Sequence, residues 1–170
     1  MKSITALACI YHTIKGSPNP THPHPSKSSP RHPMPHTGSC LCGLTAIELS
    51  TTEISQVLCH CVDCRRTSGS AFSGNILVPK KDVRITGPTK EYTSRALSGN
   101  MVTRVFCGTC GSAIAHRNEQ LFGDTQVVLQ TGNLEGFGNV PVGVEIFVKD
   151  RWASLPAVDG AVQVEGMLEF

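Results

Sequence analysis

Three cysteines stand within six residues in the segment 59–64, which reads CHCVDC. A C-x-C motif fused to a C-x-x-C motif brings three thiols together at a spacing that suits coordination of one metal ion. We therefore predict a metal site on Cys59, Cys61 and Cys64. His60 stands between two of these ligands, so its side chain is expected to project away from the metal that they share.

Four further cysteines flank this triplet as two close pairs, Cys40 with Cys42 and Cys107 with Cys110. Zinc in a structural site takes four ligands in a tetrahedron, so the two pairs can complete one site between them. Such a site would join the first strand of the domain to its middle, and loss of any one thiol should unfold the domain. The alternatives are redox dithiols or cysteines that are simply buried.

The triplet is then left with three protein ligands, which is the ligand number of catalytic zinc sites. The alternative is a second structural zinc closed by a distant histidine, for which His116 is the candidate. Three thiolates make zinc a weak Lewis acid, so a substrate thiol suits the fourth position better than hydroxide does. The predicted chemistry is the making or breaking of a carbon–sulfur bond.

Two arginines and a short loop of serine and glycine follow the triplet directly. Guanidinium groups bind carboxylates, such as those of a glutathione-type tripeptide, although the alternative is a solvated pair of arginines. The predicted substrate-binding residues are Arg65, Arg66, Ser68, Gly69, Ser70 and Phe72. No general acid or base is identifiable, and Glu48, Glu91, Glu145 and Asp150 are candidates by residue type alone.

Charge and composition exclude several classes of partner. The chain has 170 residues with 15 basic and 13 acidic side chains, a net charge of +2, and only 5% aromatic residues. Neither nucleic acid nor an acidic membrane surface is therefore expected as a partner. No run approaches the roughly 18 apolar residues of a membrane span, and residues 4–11 make a poor signal peptide. Closely spaced cysteines favour metal binding in a reducing compartment, so we expect a soluble, cytoplasmic protein.

Residues 1–36 differ in composition from the rest of the chain. Seven prolines fall between residues 16 and 35, among serine, histidine and threonine. Proline denies the backbone helix and sheet hydrogen bonds, so we predict that 1–36 is a disordered extension and that 37–170 is the zinc-binding domain. The four histidines at 22, 24, 32 and 36 could bind metal, but such composition is more typical of unstructured chain. Cys9 is expected to be a bystander.

Short segments rich in β-forming residues, separated by glycine, proline and asparagine, fill the predicted domain. The eight predicted strands are 44–49, 72–78, 83–86, 91–93, 102–106, 113–116, 126–131 and 144–148. One turn of helix is predicted within 61–68, with Asp63 in its first turn and Gly69 at its end. The fold class is therefore mainly β, built from short antiparallel strands and stabilised by zinc.

Three motifs together resemble one known family. They are GSCLCG at 38–43, CHCVDCRRTSGSAF at 59–72 and FCGTCGS at 106–112. The set resembles the glutathione-dependent formaldehyde-activating enzyme family, whose domain also occurs in centromere protein V. The likeness covers about 37–156, and WASLP at 152–156 is similar to the family's closing segment.

The resemblance implies a β-tent fold of the Mss4-like kind and two zinc ions per chain. Structural zinc would fall on Cys40, Cys42, Cys107 and Cys110, and catalytic zinc on Cys59, Cys61 and Cys64. The family's named member joins glutathione to formaldehyde, and many relatives look like carbon–sulfur lyases that act on other thiol adducts. We therefore predict a zinc-dependent carbon–sulfur lyase or synthase whose partner is a small thiol adduct, glutathione-derived. The alternative is a non-catalytic, zinc-stabilised protein-binding module, and reversible dithiol redox work is a third hypothesis.

Overall fold

The computed structural model describes residues 36–51 and 54–168. Its first described residue, His36, begins the first strand. Apart from His36, the predicted disordered extension lies outside the described residues. The start of the domain at residue 37 stays a prediction.

The described part of the chain forms eleven strands, two short α-helices and four 3-10 turns. The strands are β1 His36–Ser39, β2 Ala46–Leu49, β3 Gln56–Cys59, β4 Ser73–Pro79, β5 Val83–Thr86, β6 Thr89–Arg95, β7 Met101–Cys107, β8 Ala113–Arg117, β9 Gln126–Gln130, β10 Val142–Ile146 and β11 Val162–Val164. The α-helices are α1 Val62–Ser68 and α2 Glu119–Phe122, and the 3-10 turns are Lys80–Asp82, Thr131–Asn133, Phe137–Asn139 and Val148–Asp150.

These strands form two sheets. A three-stranded sheet has the order β1-β2-β5, and an eight-stranded sheet has the order β11-β10-β3-β4-β9-β8-β7-β6. Neighbouring strands are antiparallel except at β10, which pairs in parallel with both β3 and β11. The predicted fold class, mainly β with short antiparallel strands and cysteine clusters that could hold zinc, is confirmed.

The hydrophobic core draws side chains from both sheets. Ile47 and Leu49 come from the small sheet, and Ile76, Ile114 and Leu129 come from the large one; each is at most 1% exposed. These residues alternate with less buried neighbours along their strands, as expected when one face of a sheet packs inward. The core therefore joins the two sheets that carry the cysteines.

Each of the eight predicted strands matches an observed one within a few residues, and the predicted strand at 83–86 coincides with β5. Strands β1, β3 and β11 were not predicted. These strands have only three or four residues, and β3 and β11 pair with β10, which is distant in sequence from β3. A local pattern contains little information about such pairings.

Candidate metal centres

The two outer cysteine pairs meet in one group. Cys40 and Cys42 lie in the turn before β2, and Cys107 and Cys110 lie at and after the end of β7. All four sulfur atoms lie within 4.8 Å of one another, with 3.4 Å between Cys40 and Cys42 and 3.8 Å between Cys42 and Cys107. Tetrahedral zinc with Zn–S bonds of about 2.3 Å separates its sulfur ligands by about 3.8 Å, so these four residues fit zinc.

Both turns have the same local construction. Gly43 donates its amide to the carbonyl of Cys40 at 2.9 Å, and Gly111 donates to the carbonyl of Cys107 at 3.0 Å. Both glycines have positive φ, 74° and 76°, a conformation that costs a side-chain-bearing residue energy. The amide of Thr45 also points at the Cys40 sulfur, 3.2 Å away. Turns of this kind direct amides toward sulfur and so stabilise thiolates.

The pKa values in this group favour partial ionisation. A side-chain hydrogen bond from Thr45 lowers the pKa of Cys107 to about 7, and hydrogen bonds from Ser112 lower that of Cys110 to about 5. A backbone hydrogen bond lowers the pKa of Cys42, but burial and the neighbouring thiols raise it to about 12. Protons and negative charge are thus shared among the sulfurs. A cation at the centre would take the place of those protons.

The inner triplet lies where a strand of the large sheet meets a helix. Cys59 is the last residue of β3, Cys61 is the N-cap of α1, and Cys64 lies within the first turn of that helix. Their sulfur atoms all lie within 4.8 Å of one another, and those of Cys59 and Cys61 are 3.5 Å apart. These separations also fit zinc.

Helix α1 begins and ends where the sequence predicted. The sulfur of Cys61 accepts the amide of Cys64 at 3.4 Å, and Gly69, with φ 64°, ends the helix. Asp63 lies in the first turn, and its carboxylate accepts the amide of Leu97 at 2.9 Å. Asp63 therefore connects the start of α1 to the backbone of the β6–β7 hairpin.

Negative charge in the triplet is concentrated on Cys61. Hydrogen bonds from the thiols of Cys59 and Cys64 and from the amides of Cys64 and Asp63 lower the pKa of Cys61. The hydrogen bonds that Cys59 makes with Cys61 and Cys64, together with burial, raise the pKa of Cys59. A thiolate at a helix N-terminus is the expected outcome, because the helix amides point toward it.

Among residues 36–51 and 54–168, neither a histidine nor a carboxylate joins the three sulfurs as a fourth ligand. His116, the candidate for closing the site, lies outside the group. Burial and the charge of Arg104 lower the pKa of His116 to about 4, although the charge of Cys61 opposes them. The imidazole is therefore neutral near pH 7 and lies within electrostatic range of the triplet.

His60 projects away from the sulfurs into the interior, as expected. Its side chain is 1% exposed, and its Nε2 lies 2.9 Å from Oε1 of Glu145 on β10. The other oxygen of Glu145 accepts the amide of Val158 at 2.7 Å, Nε2 of Gln163 at 2.7 Å and the guanidinium of Arg151 at 3.2 Å. The buried carboxylate of Glu145, which accepts hydrogen bonds from four groups, thus holds His60, the residue between Cys59 and Cys61 in the sequence.

The predicted substrate-binding arginines differ in their surroundings. Arg65 is half-buried, and its guanidinium lies 5.9 Å from the centre of the Trp152 ring. Arg66 is exposed. Neither forms an ion pair within the described part of the chain. Trp152 was not predicted as a site residue, although it lies in the segment 152–156 that is similar to the family's closing segment.

The rest of the predicted loop is held locally. The hydroxyl of Ser68 donates to the carbonyl of Phe72 at 2.9 Å, and the ring of Phe72 packs edge-on against His60 with centres 5.8 Å apart. Gly69 and Ser70 are exposed. The loop therefore connects the surface at the end of α1 to the buried histidine.

Two clefts lie elsewhere on the domain. One of about 700 Å³ is lined by 79–81 and 124–126, and one of about 240 Å³ lies between β5, β7, β8 and β9. Neither is lined by a predicted metal ligand or substrate-binding residue, and Glu91 on β6, an acid or base candidate by residue type alone, lines the second. None of the described helices is long and apolar enough to cross a membrane.

Comparison with known proteins gives a family match and a likeness to solved structures. A family model described as glutathione-dependent formaldehyde-activating enzyme matches residues 35–150. A crystal structure of a Rhodobacter sphaeroides protein, 23% identical, is similar with a TM-score of 0.46 over 62% of this chain and 98% of that one. No curated protein matches this chain.

Proposed function

The chain belongs to the glutathione-dependent formaldehyde-activating enzyme family, and on that premise we propose that it is a zinc-dependent lyase or synthase of carbon–sulfur bonds. Its substrate is a glutathione-type thiol adduct, a small molecule. The observation that carries this proposal is the unequal division of seven thiols into a group of four and a group of three. Four sulfurs saturate a structural zinc, whereas three are the protein share of a catalytic one.

The triplet residues Cys59, Cys61 and Cys64 would hold the catalytic zinc, and Cys40, Cys42, Cys107 and Cys110 the structural one. Zinc held by three thiolates supplies a site for the substrate sulfur and favours its deprotonated form. The residues of this chain prepare that site. Hydrogen bonds from Cys59 and Cys64, with the amides at the start of α1, lower the pKa of Cys61 and favour its thiolate, and Glu145 holds His60 in the same turn.

Binding of the organic part of the substrate is assigned to the segment that follows the triplet. Arg65 and Arg66 are close in sequence to Cys64, and both are free to meet a carboxylate, the exposed Arg66 more so. Ser68, Gly69, Ser70 and Phe72 would shape the approach to the metal. A cytoplasmic location is part of the same proposal, because reduced thiols are required at both sites.

The test uses one substitution in each cysteine group. Cys61→Ser should abolish formation and cleavage of the glutathione–formaldehyde adduct, as measured by proton NMR. The variant should keep the wild-type circular dichroism spectrum and bind one equivalent of zinc. Cys107→Ser should instead lower the stability of the whole domain. Wild-type turnover by Cys61→Ser would refute the assignment of the triplet as the reaction centre.

One observation favours the alternative, a non-catalytic protein-binding module. Leu41 is 90% exposed and Leu44 is 56% exposed, and both lie on the turn that carries Cys40 and Cys42. Exposed apolar side chains on a metal-stabilised turn are typical of a contact surface. Two zinc ions per chain combined with no binding of glutathione at millimolar concentration would support this module over the enzyme.

A further inference from the structure

Arg104, in the middle of β7, is a half-buried arginine with no acidic partner among the described residues. Three other arginines have one, Arg84 with Glu48, Arg117 with Glu91 and Arg151 with Glu145, whereas in the described part of the chain Arg65, Arg66 and Arg95 have none. Removing a guanidinium from water without a counter-ion is costly. Arg104 is therefore a partly buried cation whose charge no carboxylate among the described residues neutralises, and an anionic ligand bound there would offset part of that cost.

Two neutral hydroxyl groups hold the guanidinium of Arg104 in place. Its Nε donates to Oγ1 of Thr67 at 2.9 Å, and its Nη1 donates to Oγ of Ser94 at 2.9 Å. Within the described residues its Nη2 donates to no protein atom, and that nitrogen is not among the fully buried polar atoms without a partner. One edge of a rigid, charged donor group thus remains available for a ligand from solvent.

The position of Arg104 relative to the triplet follows from its neighbours. Thr67 lies on α1 three residues after Cys64, so their side chains are neighbours on the helix surface. His116 is directly opposite Arg104 in the β7–β8 pairing, so the two side chains share a face of the sheet. The charges of both Arg104 and Cys61 act on the pKa of His116, so His116 lies near both residues. Arg104 therefore lies on the side of β7 that faces the sulfurs.

We propose that Arg104 is a specificity-determining residue that binds a carboxylate of the thiol compound whose sulfur is bound at Cys59, Cys61 and Cys64. The inference rests on the proposed function and refines it. The fixed guanidinium selects thiols that carry a carboxylate, as glutathione does, over thiols that lack one. The part of the substrate farther from the metal would then be bound by Arg65, which lies against Trp152, and by the exposed Arg66.

The experiment compares two thiols on the zinc-loaded full chain by isothermal titration calorimetry. Glutathione carries carboxylates, whereas cysteamine is a thiol without one. Arg104→Met should raise the Kd of glutathione about 10- to 100-fold, the usual effect of losing a hydrogen bond to a charged group, and leave that of cysteamine within about twofold. Arg104→Lys keeps the charge but not the planar donors and should give an intermediate loss. Arg84→Met, which removes a surface arginine of the small sheet, is the matched control and should bind both thiols as wild type does.

Unchanged cysteamine binding also demonstrates that the variant is folded and its metal site intact. If Arg104→Met does not fold, Arg104→Gln, which retains donors for Thr67 and Ser94, takes its place with the same expectation. An equal weakening of both thiols would overturn the proposal, because Arg104 would then act on the charge of the metal centre. Unchanged binding of both would overturn it as well. Wild-type protein that binds neither thiol would refute the proposed function itself, and this subsite with it.

Discussion

The substitution Glu145→Gln tests how much the buried carboxylate of Glu145 stabilises the turn that carries the triplet. The side chain of Glu145 is 1% exposed and accepts hydrogen bonds from His60, Arg151, Val158 and Gln163. A glutamine of nearly equal volume keeps one oxygen and turns the other position into a donor. The change therefore removes the charge and one acceptor while leaving the packing in place.

The expected cost follows from the four hydrogen bonds. Hydrogen bonds to a charged group contribute about 1.5–3 kcal/mol and neutral ones about 0.5–1.5 kcal/mol, so each retained bond loses about 1 kcal/mol. The amide oxygen can stay with the three donors at Oε2, and the new NH₂ then faces His60, which can accept only by changing its tautomer. Because these losses are not additive, we expect a decrease in the free energy of unfolding of about 2–4 kcal/mol.

Urea unfolding of the zinc-loaded protein, followed by circular dichroism, measures this loss. Burial raises the pKa of Glu145, but the hydrogen bonds from Val158, Gln163 and His60 and the charge of Arg151 lower it more. A carboxyl group with a lowered folded pKa contributes stability above its unfolded value of about 4.3, and this is lost as the pH falls through the folded pKa. The difference in the free energy of unfolding between wild type and Glu145→Gln should therefore keep its full size from pH 7 to about 5 and become smaller below about pH 4.

The matched control is Glu91→Gln, which removes a half-exposed carboxylate paired with Arg117 at 2.8 Å. Exposed ion pairs contribute about 0–1 kcal/mol, so this variant should remain close to wild type. Equal losses for the two variants, or a loss below about 1 kcal/mol at position 145, would refute the argument that the buried carboxylate is held by charge-assisted bonds.

The other predictions concern backbone packing and the two metal groups. A Cβ on Gly38 would clash with the carbonyl oxygen of Asn133, so Gly38→Ala should lower the free energy of unfolding in urea by about 2–4 kcal/mol. A Cβ on Gly132 meets no atom within 4 Å, so Gly132→Ala should change the free energy of unfolding by less than about 1 kcal/mol. A large loss at Gly132 would count against the packing argument. Removal of zinc by a strong chelator should unfold the domain because four separated thiols depend on one cation, and retained β-sheet signal in circular dichroism would contradict this. Zinc stoichiometry should fall from two to one in Cys61→Ser, and in Cys107→Ser the loss of zinc should be accompanied by loss of structure; two zinc ions in either variant would contradict the ligand assignment.

Part of the site was predictable because it is local. The sulfur atoms of Cys59, Cys61 and Cys64 come together through one strand end and one helix turn, and that helix has Asp63 in its first turn and ends at Gly69, as their residue types indicate. The four outer cysteines also follow from local turns, and their matched spacing indicated that the two turns belong together. The strands with clear alternation, such as β5, were predictable for the same reason.

The rest depends on contacts between distant segments. Glu145 was a candidate by residue type alone, and its role follows from the parallel pairing of β10 with β3, which brings it opposite Leu58, next to His60. Arg104 was not singled out at all, because its distinctive feature is the lack of a carboxylate neighbour, which only a folded chain can reveal.

The sequence by itself therefore determined the triplet and the two close pairs, since a few residues of backbone geometry bring the thiols within each motif together. The meeting of the two pairs, 65 residues apart between Cys42 and Cys107, required the tertiary structure. Only the tertiary structure decided which charged side chains surround those thiols. Glu145 meets His60 through the pairing of β10 with β3, and Arg104 contacts Thr67 across 37 residues of chain. The free energy that selects such long-range contacts comes from a core shared by both sheets.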